Sequence, residues 1–195
     1  MNKNKLLNVF GIIFLVWGIL AITNAIISKN YSQLFWMCYL GLFIMGFAII
    51  KRNGFWLAVQ LNILAIPSIL WGLDFLSYLT FNKFLIGISA PFFNNPTILQ
   101  QIVSLEHLMI VPIGFLSLYL IKVKKTNMWI ISILEMLIMF PITWIFTNHS
   151  ENINCAFYSC LPFDFGIYPL SWFVLLFFST IVTNYLIINL KIFRK

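Results

Sequence analysis

Apolar runs about twenty residues long, separated by short polar turns, fill this chain from end to end. A helix rises about 1.5 Å per residue, so roughly 20 apolar residues cover the hydrocarbon core of a bilayer. The runs at 6–27, 34–50, 55–73, 98–121, 128–146 and 167–190 meet or approach that length, the second being the shortest. Helices satisfy their own backbone groups in lipid. The pattern therefore predicts an all-α fold, a polytopic transmembrane bundle of six spans forming a single integral membrane domain over residues 1–195.

Two stretches break the rhythm. Residues 75–97 hold the apolar segment Phe84–Phe93, too short to cross and associated with Pro91 and Pro96. A crossing there would put Lys83 in mid-membrane, so an interfacial or re-entrant segment is expected. Residues 147–166 are the most polar part of the chain yet rich in aromatics. They suit a compact outer loop folded over the bundle mouth, or aromatic anchoring among headgroups.

Composition supports the same solvent. The chain is 62% hydrophobic and 9% charged, where a soluble domain usually carries about 25% charged residues. The +7 formal charge does not indicate nucleic acid, because the cations flank the apolar runs and no basic stripe or zinc-finger spacing accompanies them. Lys3 and Lys5, Lys51 and Arg52, Lys122, Lys124 and Lys125, and Lys191, Arg194 and Lys195 fall on one side of the six-span count; Lys29 and Lys83 fall on the other. The positive-inside rule then places both termini in the cytoplasm of a multi-pass protein of the cell (plasma) membrane. The first run is longer than a signal-peptide core and is read as a retained span.

The candidate chemistry lies in groups that are costly to hold in lipid. Glu106 and His107 sit in the outer half of the fourth span, Asp74 ends the third on the same side, and His149 begins the last outer loop. His107 suits a general base or a ligand contact, with Asp74 orienting or stabilising it; the alternative is a hydrogen-bonded interior histidine. Glu106, His149 and Asn154 are candidate substrate contacts, although a structural acid is the plainer reading of Glu106. Being adjacent, Glu106 and His107 point about 100° apart unless the helix deforms, and Pro112 frees the Leu108 carbonyl and favours a kink. Asn62 and Glu135 lie at similar depth from the cytoplasmic side and are expected to pair as a structural clasp. Cys38, in the second span, reads as a small apolar filler. Cys155 and Cys160 are placed to bridge in an oxidising compartment or to remain free thiols. His149 is their only obvious third ligand, too few for zinc, so no metal and no cofactor is expected. No G-x-S-x-G, phosphate loop, H-E-x-x-H or dinucleotide fingerprint occurs.

Three segments resemble a family of prokaryotic multi-pass membrane proteins without an assigned activity. Ser104–Leu105–Glu106–His107 with Pro112 is similar to its S-L-x-H-x4-P, Glu151–Asn152–Ile153–Asn154 with Phe157 to its N-I-N-x-x-F/Y, and Trp71–Gly72–Leu73–Asp74–Phe75–Leu76 to its W-x-x-D-F/Y-L. A weaker resemblance, carried by His107 with Pro112 and by Gly166–Ile167–Tyr168–Pro169–Leu170, points to the androgen-induced membrane hydrolases, which cleave fatty-acid esters with a Thr and a His. Where that Thr would lie, this chain has Ala58 and Val59, so the nucleophile is missing; Ser68, Ser77 and Ser104 are the substitutes on offer. Three functional readings follow: a lipid-directed hydrolase or transferase with an outward-facing polar site, a substrate-binding membrane transport subunit, and a non-catalytic interaction protein in which Glu106 and Glu135 are both capped by neighbours. The transport reading draws on size, span number and the Ala21–x–x–x–Ala25 contact face of the first span. The partners expected are the lipid bilayer and a lipid or small-molecule substrate; oligomeric state is not legible.

Overall fold

The computed structural model describes residues 2–124, 126–162 and 167–194. Lys125, Lys195 and the stretch 163–166, with Asp164 and the Gly166 of the G-I-Y-P-L run, lie outside the described residues. The helices are α1 (Lys3–Ile27), α2 (Met37–Ile50), α3 (Gly54–Phe81), α4 (Ile98–Ser104), α5 (Glu106–Ile121), α6 (Met128–Phe146) and α7 (Leu170–Asn189). The fold is an all-α helical bundle, and no strand occurs among the described residues.

Among the described residues, five segments are long and apolar enough to cross a membrane: α1, α3, α4 with α5, α6 and α7. Helix α2 has 14 residues and spans only about 21 Å. A short 3-10 helix, Tyr31–Phe35, leads into it. The bundle is compatible with a membrane protein by its outside as well as its length. Along α1, Val9, Ile12, Val16, Ile19 and Ile22 form an exposed stripe at helical spacing, while Leu7, Phe14, Ala21 and Ala25 are fully buried on the opposite side. A helix apolar all round suits lipid on the free face and protein on the other.

The packing is built around α3. About 67% of its apolar window is buried, against 17–33% for the other four, because α2, α5, α6 and α7 all pack on it. Helices α1 and α2 form a hairpin that closes through glycines: a Cβ on Gly11 would stand 2.8 Å from the Gly46 carbonyl oxygen, and one on Gly46 3.0 Å from that of Gly11. Such small-residue contacts let two backbones approach closely.

One end of the bundle gathers the positively charged turns. Arg52 donates to the Asn4 carbonyl and to Asn8 Oδ1, both at 2.8 Å, as well as to the carbonyls that close its own helix. The Val123 amide donates to the Phe193 carbonyl at 2.8 Å, and Lys122 to that of Ile192. A Cβ on Gly54 would lie 2.2 Å from the Lys122 carbonyl oxygen, so this corner admits only glycine. The start of α1, the α2–α3 turn, the end of α5 and the C-terminal turn therefore meet at one basic end. The opposite end carries residues 28–36, 82–97, 147–162 and 167–169.

Two boundaries differ from the sequence expectation. Helix α3 continues to Phe81 rather than stopping at Leu73, capped by Asn82 in the left-handed region at φ 54°; nothing between Asp74 and Phe81 breaks a helix. Residues 82–97 form an irregular loop with one 3-10 turn, Ala90–Phe92. The fourth run is two helices, broken at Leu105 and not at Pro112, which lies inside α5. At the break the Leu108 amide bonds to Leu105 in place of Ser104. Side chains take two of the neighbouring carbonyls: Trp17 Nε1 donates to Ile102 at 2.9 Å and His107 Nδ1 contacts Ser104 at 3.0 Å. Side-chain insertion into the backbone ladder is a recognised cause of a kink.

Candidate functional site

The break in the fourth run brings three chemically competent side chains together at the loop end. Cys38 is the second residue of α2, and Glu106 and His107 are the first two of α5. One donor atom from each lies within 4.8 Å of the others. Adjacent residues on a helix point about 100° apart, yet one donor atom of each reaches the same neighbourhood from the first turn of α5, just after the break at Leu105. Cys38 and Glu106 are buried and His107 is half-buried.

The imidazole is held on two sides. Its Nδ1 faces the Ser104 carbonyl at 3.0 Å, and a carbonyl only accepts, so Nδ1 carries the proton and Nε2 keeps a lone pair. The Trp71 ring stacks on it at 5.0 Å with planes 20° apart. Glu106 stands in contrast. It is 1% exposed, yet among the described residues neither carboxyl oxygen has a hydrogen-bond partner. Buried polar atoms without partners are rare and call for an explanation.

Asp74 does not meet His107. It is fully buried and accepts four hydrogen bonds from the following loop: from the amides of Ile86, Gly87 and Ser89 at 2.7, 3.0 and 2.8 Å, and from Ser89 Oγ at 2.7 Å. Those donors fill the carboxylate, so the expected direct orientation of His107 by Asp74 is replaced by an indirect one. The clamped loop sets Phe92 edge-on to Trp71 at 6.2 Å, and Trp71, one helical turn before Asp74, stacks on the imidazole. Phe75, Tyr78, Phe84 and Phe93 continue the aromatic layer.

Asn154 likewise fastens a loop. Its Oδ1 accepts from the Met37 amide at 2.9 Å, and its Nδ2 donates to the Phe35 carbonyl at 2.7 Å and to Thr143 Oγ1 at 3.0 Å. Its own carbonyl accepts from Trp172 Nε1 at 2.7 Å. One residue thus ties the starts of α2 and α7 to α6, beside Cys38. Asn152 arranges the turn itself, accepting from the amides of Phe157 and Tyr158 and donating to the Tyr158 carbonyl. Both asparagines have positive φ, 45° and 54°, a region that asparagine tolerates better than most residues. The N-I-N run is therefore loop architecture, with the amide of Asn154 already engaged. His149 is exposed, packed against the rings of Phe157 and Tyr158, and is not a member of the cluster. Cys155 and Cys160 are joined by a disulfide, and Cys38 is a free buried thiol.

Nearer the basic end, the expected Asn62–Glu135 clasp is replaced by two neighbouring ones. Asn62 Nδ2 donates to Ser132 Oγ at 3.4 Å and Asn184 Oδ1 at 3.3 Å, joining α3, α6 and α7. Glu135 Oε2 instead accepts from Gln60 Nε2 at 2.8 Å. Residues two apart on a helix point about 200° apart, so Gln60 and Asn62 do not share a partner.

Cys38 is the member of the cluster that sequence reasoning missed. Its position near the outer end of the second run, at a depth comparable to that of His107 in the fourth, was the available signal. Fold and site together define a helical bundle compatible with a membrane protein, carrying a buried thiol–carboxyl–imidazole group beneath two fastened loops. In comparisons with family models, curated proteins and solved structures, nothing matches this chain.

Proposed function

We propose that the chain is a multi-pass protein of the cell membrane, with both termini cytoplasmic, that hydrolyses acyl esters of lipids or transfers their acyl groups at a site in its outer half. The observation carrying this reading is the convergence of Cys38, Glu106 and His107 with both Glu106 oxygens unpartnered. A non-catalytic interaction protein would cap both interior acids; among the described residues Glu135 has one oxygen bonded and Glu106 has neither. The gathering of the basic turns at one end supports the orientation through the positive-inside rule.

Ester cleavage needs a nucleophile and a group that manages its proton or charge. Two of the three serines offered by the sequence have their hydroxyls committed to backbone carbonyls: Ser104 Oγ donates to that of Gln100 and Ser77 Oγ to that of Lys83. The thiol, carboxyl and imidazole are the groups that the fold brings together. Two loops cover them: the 82–97 loop reaches His107 through Trp71, and the disulfide-closed loop reaches the start of α2 through Asn154.

The test is turnover of a fluorogenic acyl-ester probe by purified protein in lipid nanodiscs. Wild-type protein is expected to release the fluorophore, and His107→Ala to reduce the rate to background while Glu135→Gln leaves it unchanged. Equal rates in wild type and His107→Ala would overturn the reading.

A further inference from the structure

We infer that Cys38, Glu106 and His107 form a binding site for a zinc-like divalent cation, with the fourth coordination position open to water or substrate. The inference rests on the reading of this cluster as the functional site and specifies what the cluster holds.

Four observations support it. The donor types are those zinc takes, thiolate sulfur, imidazole nitrogen and carboxylate oxygen, and three protein donors with one open position is the catalytic pattern. The spacing fits a site awaiting its ion. Tetrahedral zinc sets its donors about 3.3–3.7 Å apart, and here they lie within 4.8 Å of one another, so ion binding would draw the Cys38 and Glu106 side chains inward. His107 is prepared as a ligand: the Ser104 carbonyl accepts from Nδ1 at 3.0 Å, leaving the Nε2 lone pair free. Backbone carbonyls commonly hold metal-bound histidines in this way. Finally, a cation gives the unpartnered Glu106 oxygens the partner that the protein does not.

Charge decides in favour of a divalent ion. Binding releases the Cys38 thiol proton together with any proton on the enclosed Glu106 carboxyl, so a thiolate, a carboxylate and a neutral imidazole surround a 2+ ion. The assembled group has no net charge, the arrangement least costly to bury in apolar surroundings. A monovalent ion would leave the site net negative. Water in the fourth position would lose a proton far more readily than bulk water, which would supply a nucleophile at the ion itself. Neither His149 nor the Cys155–Cys160 bridge belongs to this site: the bridged sulfurs offer no thiolate, and the cluster lies on α2 and α5.

The experiment uses full-length protein in nanodiscs, stripped with a chelator and titrated with Co2+ as a spectroscopic stand-in for Zn2+. Wild type is expected to bind about one ion per chain, with visible d–d bands and a thiolate-to-cobalt charge-transfer band, and Zn2+ should displace the Co2+. Cys38→Ser should lose the charge-transfer band and weaken binding by about 100-fold or more. Glu135→Gln, a buried acid outside the cluster, should match wild type in both respects and so controls for folding. Absence of stoichiometric binding by wild type, or a charge-transfer band that survives in Cys38→Ser, overturns the inference. Ester turnover by protein shown to be metal-free would remove the ion and leave the hydrolase reading standing. Stoichiometric binding without turnover of any acyl probe would remove the hydrolase reading and leave the metal site.

Discussion

Glu106 and Glu135 are both acids within apolar helices, and the structure satisfies the second in part, with Oε1 left unbonded, and the first not at all. Glu135 is half-buried, and one of its oxygens takes Gln60 Nε2 at 2.8 Å from the neighbouring helix. Glu106 is almost wholly enclosed, and both of its oxygens lack partners. Around Glu135 the polar groups belong to helix joints: Asn62, Ser132 and Asn184 link α3, α6 and α7. Around Glu106 they are the Cys38 thiol and the His107 imidazole, gathered within 4.8 Å of one another. A polar group that ties helices together contributes to stability; one left unpaired in the interior lowers it and persists where function requires it. The difference sets Glu106 apart from Glu135 with no reference to sequence position.

The largest effect expected from that contrast comes from replacing each acid by leucine. Glu106→Leu removes an unpartnered carboxyl from apolar surroundings, so the metal-free protein should gain about 1–3 kcal/mol of stability. The same change should weaken Co2+ binding by about 1,000-fold, equivalent to about 4 kcal/mol, and abolish ester turnover. Glu135→Leu should leave binding and turnover intact and lower stability, because Gln60 loses its acceptor. Denaturant unfolding in mixed micelles, alongside the cobalt titration, reads both quantities. Stabilities that fall equally in the two variants would erase the distinction.

Asp74 sharpens the comparison from a third direction, as a buried acid that is fully satisfied. Asp74→Ala strands three amides and one hydroxyl of the loop, and leaving buried donors unpaired costs about 1–3 kcal/mol each before relaxation. Because the loop has room to move toward solvent, a net loss of about 3 kcal/mol is expected. Amide hydrogen exchange should rise across residues 84–93, and Trp71 fluorescence should change as its stacking on His107 loosens. Metal affinity should fall about tenfold, since Asp74 acts on the imidazole only through Trp71. A loss as large as that of Glu106→Leu would instead make Asp74 a ligand.

The bundle was more legible in the sequence than the site. Spans emerge from hydropathy because burying or lipidating apolar area is a property of each segment alone. Helix ends were less clear where no glycine or proline marks them: α3 runs through Asp74 to Phe81, because a single acid does not stop a helix whose side chain finds donors in the next loop. Asp74 and Asn154 were singled out as costly or conspicuous polar residues, and both are engaged by backbone groups of loops whose course the sequence does not reveal. Cys38 was passed over since a lone cysteine in an apolar run looks like any small hydrophobe; its meaning arises only when α2 and α5 pack at matching depth. The break at Leu105 was expected near Pro112, where a missing amide is visible in the sequence. The actual cause, Trp17 and His107 side chains taking carbonyls of α4, depends on the packing of α1 against that helix.

The smallest effects should come from the joints near the basic end, where the comparison returns to Glu135. Interhelical hydrogen bonds in membrane bundles are worth about 0.6 kcal/mol on average and up to about 1.7. Asn62 serves two partners on two helices, so Asn62→Leu should cost about 1 kcal/mol. Glu135→Gln keeps an acceptor for Gln60 and should cost only a few tenths of a kcal/mol. A double-mutant cycle between Gln60 and Glu135, and another between Asn62 and Asn184, read by unfolding in mixed micelles, should each return a favourable coupling. The cycle between Asn62 and Glu135 should return a coupling near zero, because each residue has a different partner. A coupling there as large as in the other two would mean that the four residues act as one network, and that Glu135 belongs to the three-helix joint itself and not to a separate contact beside it.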